Sequence, residues 1–112
     1  MGMIDVGEKP VVKRQATAAG KIRLSSETLK KVREGKIRKG DPLLVAEVAA
    51  MNAAKQTHIL IPHCHQIPLD MVRVTFELGQ GGVEAQCIVR CRARTGVEME
   101  ALVGVSIALN TI

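Results

Sequence analysis

Val72-Arg-Val-Thr-Phe-Glu-Leu78 and Val83-Glu-Ala-Gln-Cys-Ile-Val-Arg-Cys-Arg-Ala93 flank the linker Gly79-Gln-Gly-Gly82, and their alternation decides the fold class. Val72, Val74, Phe76 and Leu78 fall on one side of an extended chain, with Arg73, Thr75 and Glu77 on the other. Val83, Ala85, Cys87, Val89, Cys91 and Ala93 repeat the pattern. A period of two is that of a strand with one buried face, and the glycine-rich linker closes the two runs into a hairpin. Upstream, Val12 to Leu24 alternates in the same way: Val12, Ala16, Ala18, Gly20, Ile22 and Leu24 are small or apolar, while Lys13, Gln15, Thr17, Lys21 and Arg23 are polar. Arg14 breaks this third strand. Either it points inward and needs an anionic partner, or the register is displaced at the strand's start.

Between the first strand and the hairpin the period changes. Ser25 or Ser26 caps a short helix through Leu29 and Val32 that Gly35 stops, and the basic connector Lys36-Ile-Arg-Lys39 follows. Asp41 before Pro42 is an N-cap followed by a first-turn proline, predicting a helix through Leu44, Val48, Met51 and Ala54 to about Thr57. That helix is apolar nearly all round, which calls for burial against a sheet or a neighbouring subunit. Pro62 and Pro68 bracket a non-helical loop. Thr95 and Glu98 have the spacing of a capping box opening a last helix, which meets no stop signal before Ile112. The order β, α in two pieces, β, β, α predicts an α+β fold of ferredoxin-like (split βαβ) type, an antiparallel sheet with helices on one face. One further strand would follow the last helix, so residues 1–112 are expected to be one domain that continues past Ile112.

The 112 residues are one domain's worth of chain, with 46% hydrophobic and 24% charged residues as in soluble globular proteins. Phe76 is the sole aromatic residue, so base-stacking platforms cannot be built despite a net charge of +5, and no nucleic-acid partner is expected. Three cysteines, Cys64, Cys87 and Cys91, include no CxxC pair, and the N-terminus carries no signal-peptide pattern; a reducing cytoplasm is expected. No stretch is long and apolar enough to predict a membrane span.

Chemistry-bearing residues gather in two places. Lys55 and His58 precede Ile61-Pro-His-Cys-His65. Zinc could draw on His58, His63, Cys64 and His65, but their spacing matches no common ligand pattern. The bland reading is a loop with surface histidines; the functional one is a proton-transfer site with ammonium groups beside it, suited to a phosphorylated substrate. The second cluster is Arg94-Thr-Gly-Val-Glu-Met-Glu100. Its carboxylates Glu98 and Glu100 lie two positions apart, roughly 200° around a helix, and cannot both face one ligand there. Arg90, Arg92 and Arg94 share one face at period two. They need phosphate, an acidic surface, or water and salt.

Asp5-Val-Gly-Glu-Lys9, Lys39-Gly-Asp41, Ala53-Ala-Lys55, Ile61-Pro-His-Cys-His65 and Thr95-Gly-Val-Glu-Met-Glu-Ala-Leu102, taken together and in order, resemble the cyclic pyranopterin monophosphate synthases, the C proteins of molybdenum cofactor biosynthesis. The resemblance implies an enzyme that converts cyclised dihydro-GTP into cyclic pyranopterin monophosphate and releases pyrophosphate. It implies Lys39 and His65 as participants in the chemistry. Lys9, Arg14 and Lys55 would line the triphosphate and base pocket, and His63, Cys64, His65, Glu98, Met99 and Glu100 would bind substrate. No redox cofactor is implied; magnesium can accompany the triphosphate, although no carboxylate cage for it is evident. The family forms hexamers, trimers of dimers with sites shared between subunits, and the apolar helix from Pro42 is the natural interface.

Three departures accompany the resemblance. His63 stands where the family has leucine, and Gln66-Ile67 where it has Pro-Leu. The family's last helix also runs on into a segment with a catalytic aspartate and a lysine, so the principal acid/base aspartate is expected beyond Ile112. The competing expectation is a catalytically inactive nucleotide-binding module of the same fold.

Overall fold

The computed structural model describes residues 1–112. It contains β1 (Val12–Arg23), α1 (Ser26–Arg33), α2 (Pro42–Lys55), α3 (Thr57–Leu60), β2 (Met71–Leu78), β3 (Gly82–Ala93) and α4 (Glu98–Thr111). The three strands form one antiparallel sheet in the order β1-β3-β2. The hairpin sets Leu78 opposite Val83, and β1 lies along β3 from Val12 opposite Ala93 to Arg23 opposite Gly82. This unbroken register removes the displaced-strand alternative. Arg14 sits on the same side as Ala16 and Ala18, opposite buried Cys91.

The helix signals act largely as expected. Ser25 caps α1 by accepting from the Thr28 N–H, and Gly35 follows α1 with φ +67, a left-handed conformation that a side chain would strain. Asp41 accepts from the N–H groups of Leu43 and Leu44 at 3.0 and 3.3 Å. α2 ends at Lys55, not Thr57; the chain breaks at Gln56 and resumes as the single turn α3.

The capping box is not formed. The residue at the N-cap of α4 is Val97, with no side-chain cap, because Val97 turns into the core and is 1% exposed. Burial of an apolar side chain there outweighs a surface hydrogen bond from Thr95. Glu98 instead folds its carboxylate over Gly96, where a β-carbon would stand.

The core lies between the inner sheet face and the pair α2 and α4. Its residues are small: Ala46 and Ala50 from α2, Ala85, Cys87, Val89 and Cys91 from β3, and Ala101, Val105 and Ala108 from α4. Small side chains bring the layers close together. A β-carbon on Gly104 would stand 2.8 Å from Cys87 Sγ and 3.5 Å from the Ala50 carbonyl oxygen, so α4 touches strand and helix at that point. Only the alanine side of α2 is buried; Leu44, Val45 and Val48 are exposed, so the helix is not enclosed within this chain. No helix is long and apolar enough to cross a membrane.

Candidate functional site

One end of the sheet gathers polar groups onto the face that is apolar elsewhere. The beginning of β1, the end of β3, the first turn of α4 and the loop after α3 meet there. Arg14 enters from β1. Its Nη2 donates weakly to the Arg94 carbonyl oxygen at 3.4 Å, and its buried Nε has no hydrogen-bond partner. A buried N–H left unpaired costs about 1–3 kcal/mol.

Glu100 enters from α4 and is 4% exposed. Burial holds its carboxyl above the usual carboxylate range, and the neighbouring Glu98 adds to this. A hydrogen bond to its own main chain and the proximity of His58 oppose the shift. Glu98 and Met99 are exposed on the same turn, so the two carboxylates diverge as the helix geometry requires. Cys91 of β3 lies in the same electrostatic neighbourhood. Burial raises its thiol first, then Asp70, Glu100 and Glu98, with Arg14 opposing. Burial, then Glu100, also raises the half-buried Cys64. Both thiols are therefore poor nucleophiles, and Cys64 suits packing and hydrogen bonding to a ligand better than thiolate attack.

His65 lines a cleft of about 290 Å³ with Val6, Val11, Arg92, Arg94 and Thr95. Gln66, Ile67 and Pro68 form the wall between it and a second cleft of about 420 Å³ that Lys55 and His58 line. His65 Nε2 lies 2.6 Å from the Ile4 carbonyl oxygen. Lys9 is exposed in the turn that Val6 opens, its N–H bound to the Val6 carbonyl at 3.0 Å. His63 is exposed and lines neither cleft. No three His, Cys, Asp or Glu side chains of this chain converge in a group that could hold a metal ion.

Lys39 is not brought to this site. It lines a separate cleft with Asp41, Pro42, Thr111 and Ile112, at the C-terminal end of α4, whereas Glu98 and Glu100 open that helix. Fourteen helical residues separate the two ends by about 20 Å. Lys39 and His65 of one chain therefore cannot act on one small molecule together.

Several residues to which the family resemblance gave no role line the two clefts. His58 carried a signal in its closeness to His63 and His65. Arg92 was legible only as part of a charged stripe, and Arg94, which also opens the second cluster, lies just past the end of β3. Gln66 and the Ile4 carbonyl carried no signal.

Residues 3–112 match the model of the MoaC family. A protein of Pyrococcus abyssi named probable cyclic pyranopterin monophosphate synthase is 54% identical over 110 residues, 98% of this chain and 69% of that protein. Its counterpart in Thermococcus kodakarensis is 52% identical over 98% of this chain and 70% of its own length. A Methanothermobacter thermautotrophicus protein that is 52% identical, over 98% of this chain and 69% of its own length, is named as a probable accessory protein of that synthase. The chain belongs to the MoaC family.

Proposed function

We propose that this chain is a cyclic pyranopterin monophosphate synthase, a lyase of molybdenum cofactor biosynthesis that converts cyclised dihydro-GTP to cyclic pyranopterin monophosphate and releases pyrophosphate. The observation that carries the reading is that Arg14 and Glu100 both act on Cys91, and Glu100 also on Cys64 beside His65, so the three belong to one end of the sheet. A half-buried guanidinium whose buried Nε is unpaired suits phosphate, a buried carboxyl suits the amino and ring N–H groups of a guanine-derived ring, and an imidazole suits proton transfer.

In this reading Arg14, Lys9 and Lys55 hold the triphosphate and offset charge as a ribose hydroxyl attacks the α-phosphorus and pyrophosphate leaves. Glu100 and Met99 orient the base from the first turn of α4, with Glu98 at the rim. His63 and Cys64 shape the loop that presents His65, which moves protons during ring opening and reclosure. No redox cofactor is needed, and magnesium enters with the triphosphate, not in a site of its own. Three free thiols fit a reducing cytoplasm.

Lys39 enters the same chemistry from a second copy of the chain. The exposed Leu44, Val45 and Val48 on α2, with Ile59, Leu60 and Leu102 nearby in sequence to the site elements, support a homo-hexamer built as a trimer of dimers. The order β1-β3-β2 with α2 and α4 on one face supports a ferredoxin-like arrangement.

The test is incubation of the purified native full-length protein with cyclised dihydro-GTP, following cyclic pyranopterin monophosphate and pyrophosphate by mass spectrometry. Both products in equal amounts are expected. Binding without either product would leave the inactive nucleotide-binding module as the correct reading, and neither binding nor turnover would remove both.

A further inference from the structure

The segment before β1 reaches the proposed proton carrier through its main chain. Ile4 presents its carbonyl oxygen to His65 Nε2 at 2.6 Å, the ring's only hydrogen bond within the chain. A carbonyl oxygen can only accept, so Nε2 carries the proton. In the neutral ring the lone pair is then on Nδ1. We propose that the Ile4 carbonyl is a positioning group for the reaction, holding His65 in the Nε2–H tautomer and leaving Nδ1 as the nitrogen that accepts the substrate's proton. This rests on the reading of His65 given above.

The local sequence explains how Ile4 arrives there. The Asp5 side chain accepts from the Gly7 N–H at 2.8 Å, and the Val6 carbonyl accepts from the Lys9 N–H at 3.0 Å, so residues 5–9 form consecutive turns. Val6 is half-buried in the wall of the cleft that His65 lines, which anchors the turn against the site. The Ile4 side chain is 77% exposed, so it contributes little packing at this contact. The geometry serves the carbonyl, not the side chain. A fixed tautomer and ring orientation are what a proton carrier gains from such a partner.

The experiment compares the full chain with a form lacking residues 1–6 and with Asp5→Ala, which loosens the turn while keeping Val6 and Lys9. Imidazole nitrogen NMR, at a pH where the ring is neutral, reads the tautomer directly without substrate. We expect the Nε2–H pattern for His65 in the full chain, an averaged pattern in the shortened form and an intermediate one in Asp5→Ala. Turnover should follow, with kcat down about tenfold or more in the shortened form and about threefold in Asp5→Ala, whose KM stays within about twofold. An Nδ1–H pattern in the full chain, or one unmoved by the deletion, would overturn the proposal. A rise in kcat on deletion would also overturn it and make the segment an inhibitory strap. Absence of turnover in every form would sink the synthase reading, while the nitrogen spectra would still decide the tautomer.

Discussion

The inner face of the sheet has two regions that obey opposite rules. In the middle, Ala18, Ala85, Cys87 and Val89 meet Ala50, Gly104, Val105 and Ala108, and every side chain is completed by its neighbours. At the end where β1 begins, the same face carries Arg14, whose Nε has no partner, and α4 brings in Glu100, a buried carboxyl that pairs with no cation in the chain. The middle is closed by contacts already made. The end keeps polar groups that the chain itself does not pair, so perturbing it tests the proposed function, whereas perturbing the middle tests stability.

Perturbations of each region should therefore have different readouts. The largest effect is expected for His65→Ala, which should lower turnover by about 100- to 10,000-fold with an unchanged circular dichroism spectrum. Retained activity would remove His65 from the mechanism. Lys39→Ala should be similarly impaired, and mixing the two variants under conditions of subunit exchange should restore part of the activity. No recovery would contradict a site shared between copies. In the middle, Gly104→Val should cost about 1–3 kcal/mol in chemical denaturation, because α4 must move off Cys87 and Ala50, while the KM of the folded fraction stays unchanged.

Glu100→Gln should act in reverse, weakening substrate binding while flattening the dependence of stability on pH. The native carboxyl is raised above its unfolded value, so the folded state holds a proton that the unfolded state has released. Stability is then greatest below the ordinary carboxylate range and falls as pH rises through that range to the raised native value. A pH–stability curve from Glu100→Gln identical to the parent's would show that Glu100 is not the group responsible. The smallest effect belongs to Asp41→Ala. Loss of the α2 cap should cost about 1 kcal/mol, measured by thermal unfolding.

How much of this was legible in the sequence follows the same division. Strand alternation, the Gly79–Gly82 hairpin and the Asp41-Pro42 cap are local, so all three appear where expected. The capping box failed because Thr95 and Glu98 compete with Val97, whose burial is decided by the whole core. Arg14 could be read as an exception to its strand, but only the hydrogen-bond register fixed it as inward. The separation of Lys39 from His65 was not legible, because it depends on which ends of α2 and α4 lie together. The Ile4 contact is made by main chain and leaves no trace in residue identity.

The most direct test of the division is Arg14→Met, which keeps the apolar stem and removes the guanidinium with its unpaired Nε. We expect an unfolding free energy equal to or above the parent's, because a polar N–H buried without a partner is lost, together with a KM for cyclised dihydro-GTP raised about tenfold or more. A loss of about 2 kcal/mol or more in stability with an unchanged KM would contradict it, and would place Arg14 among the residues that hold the fold together.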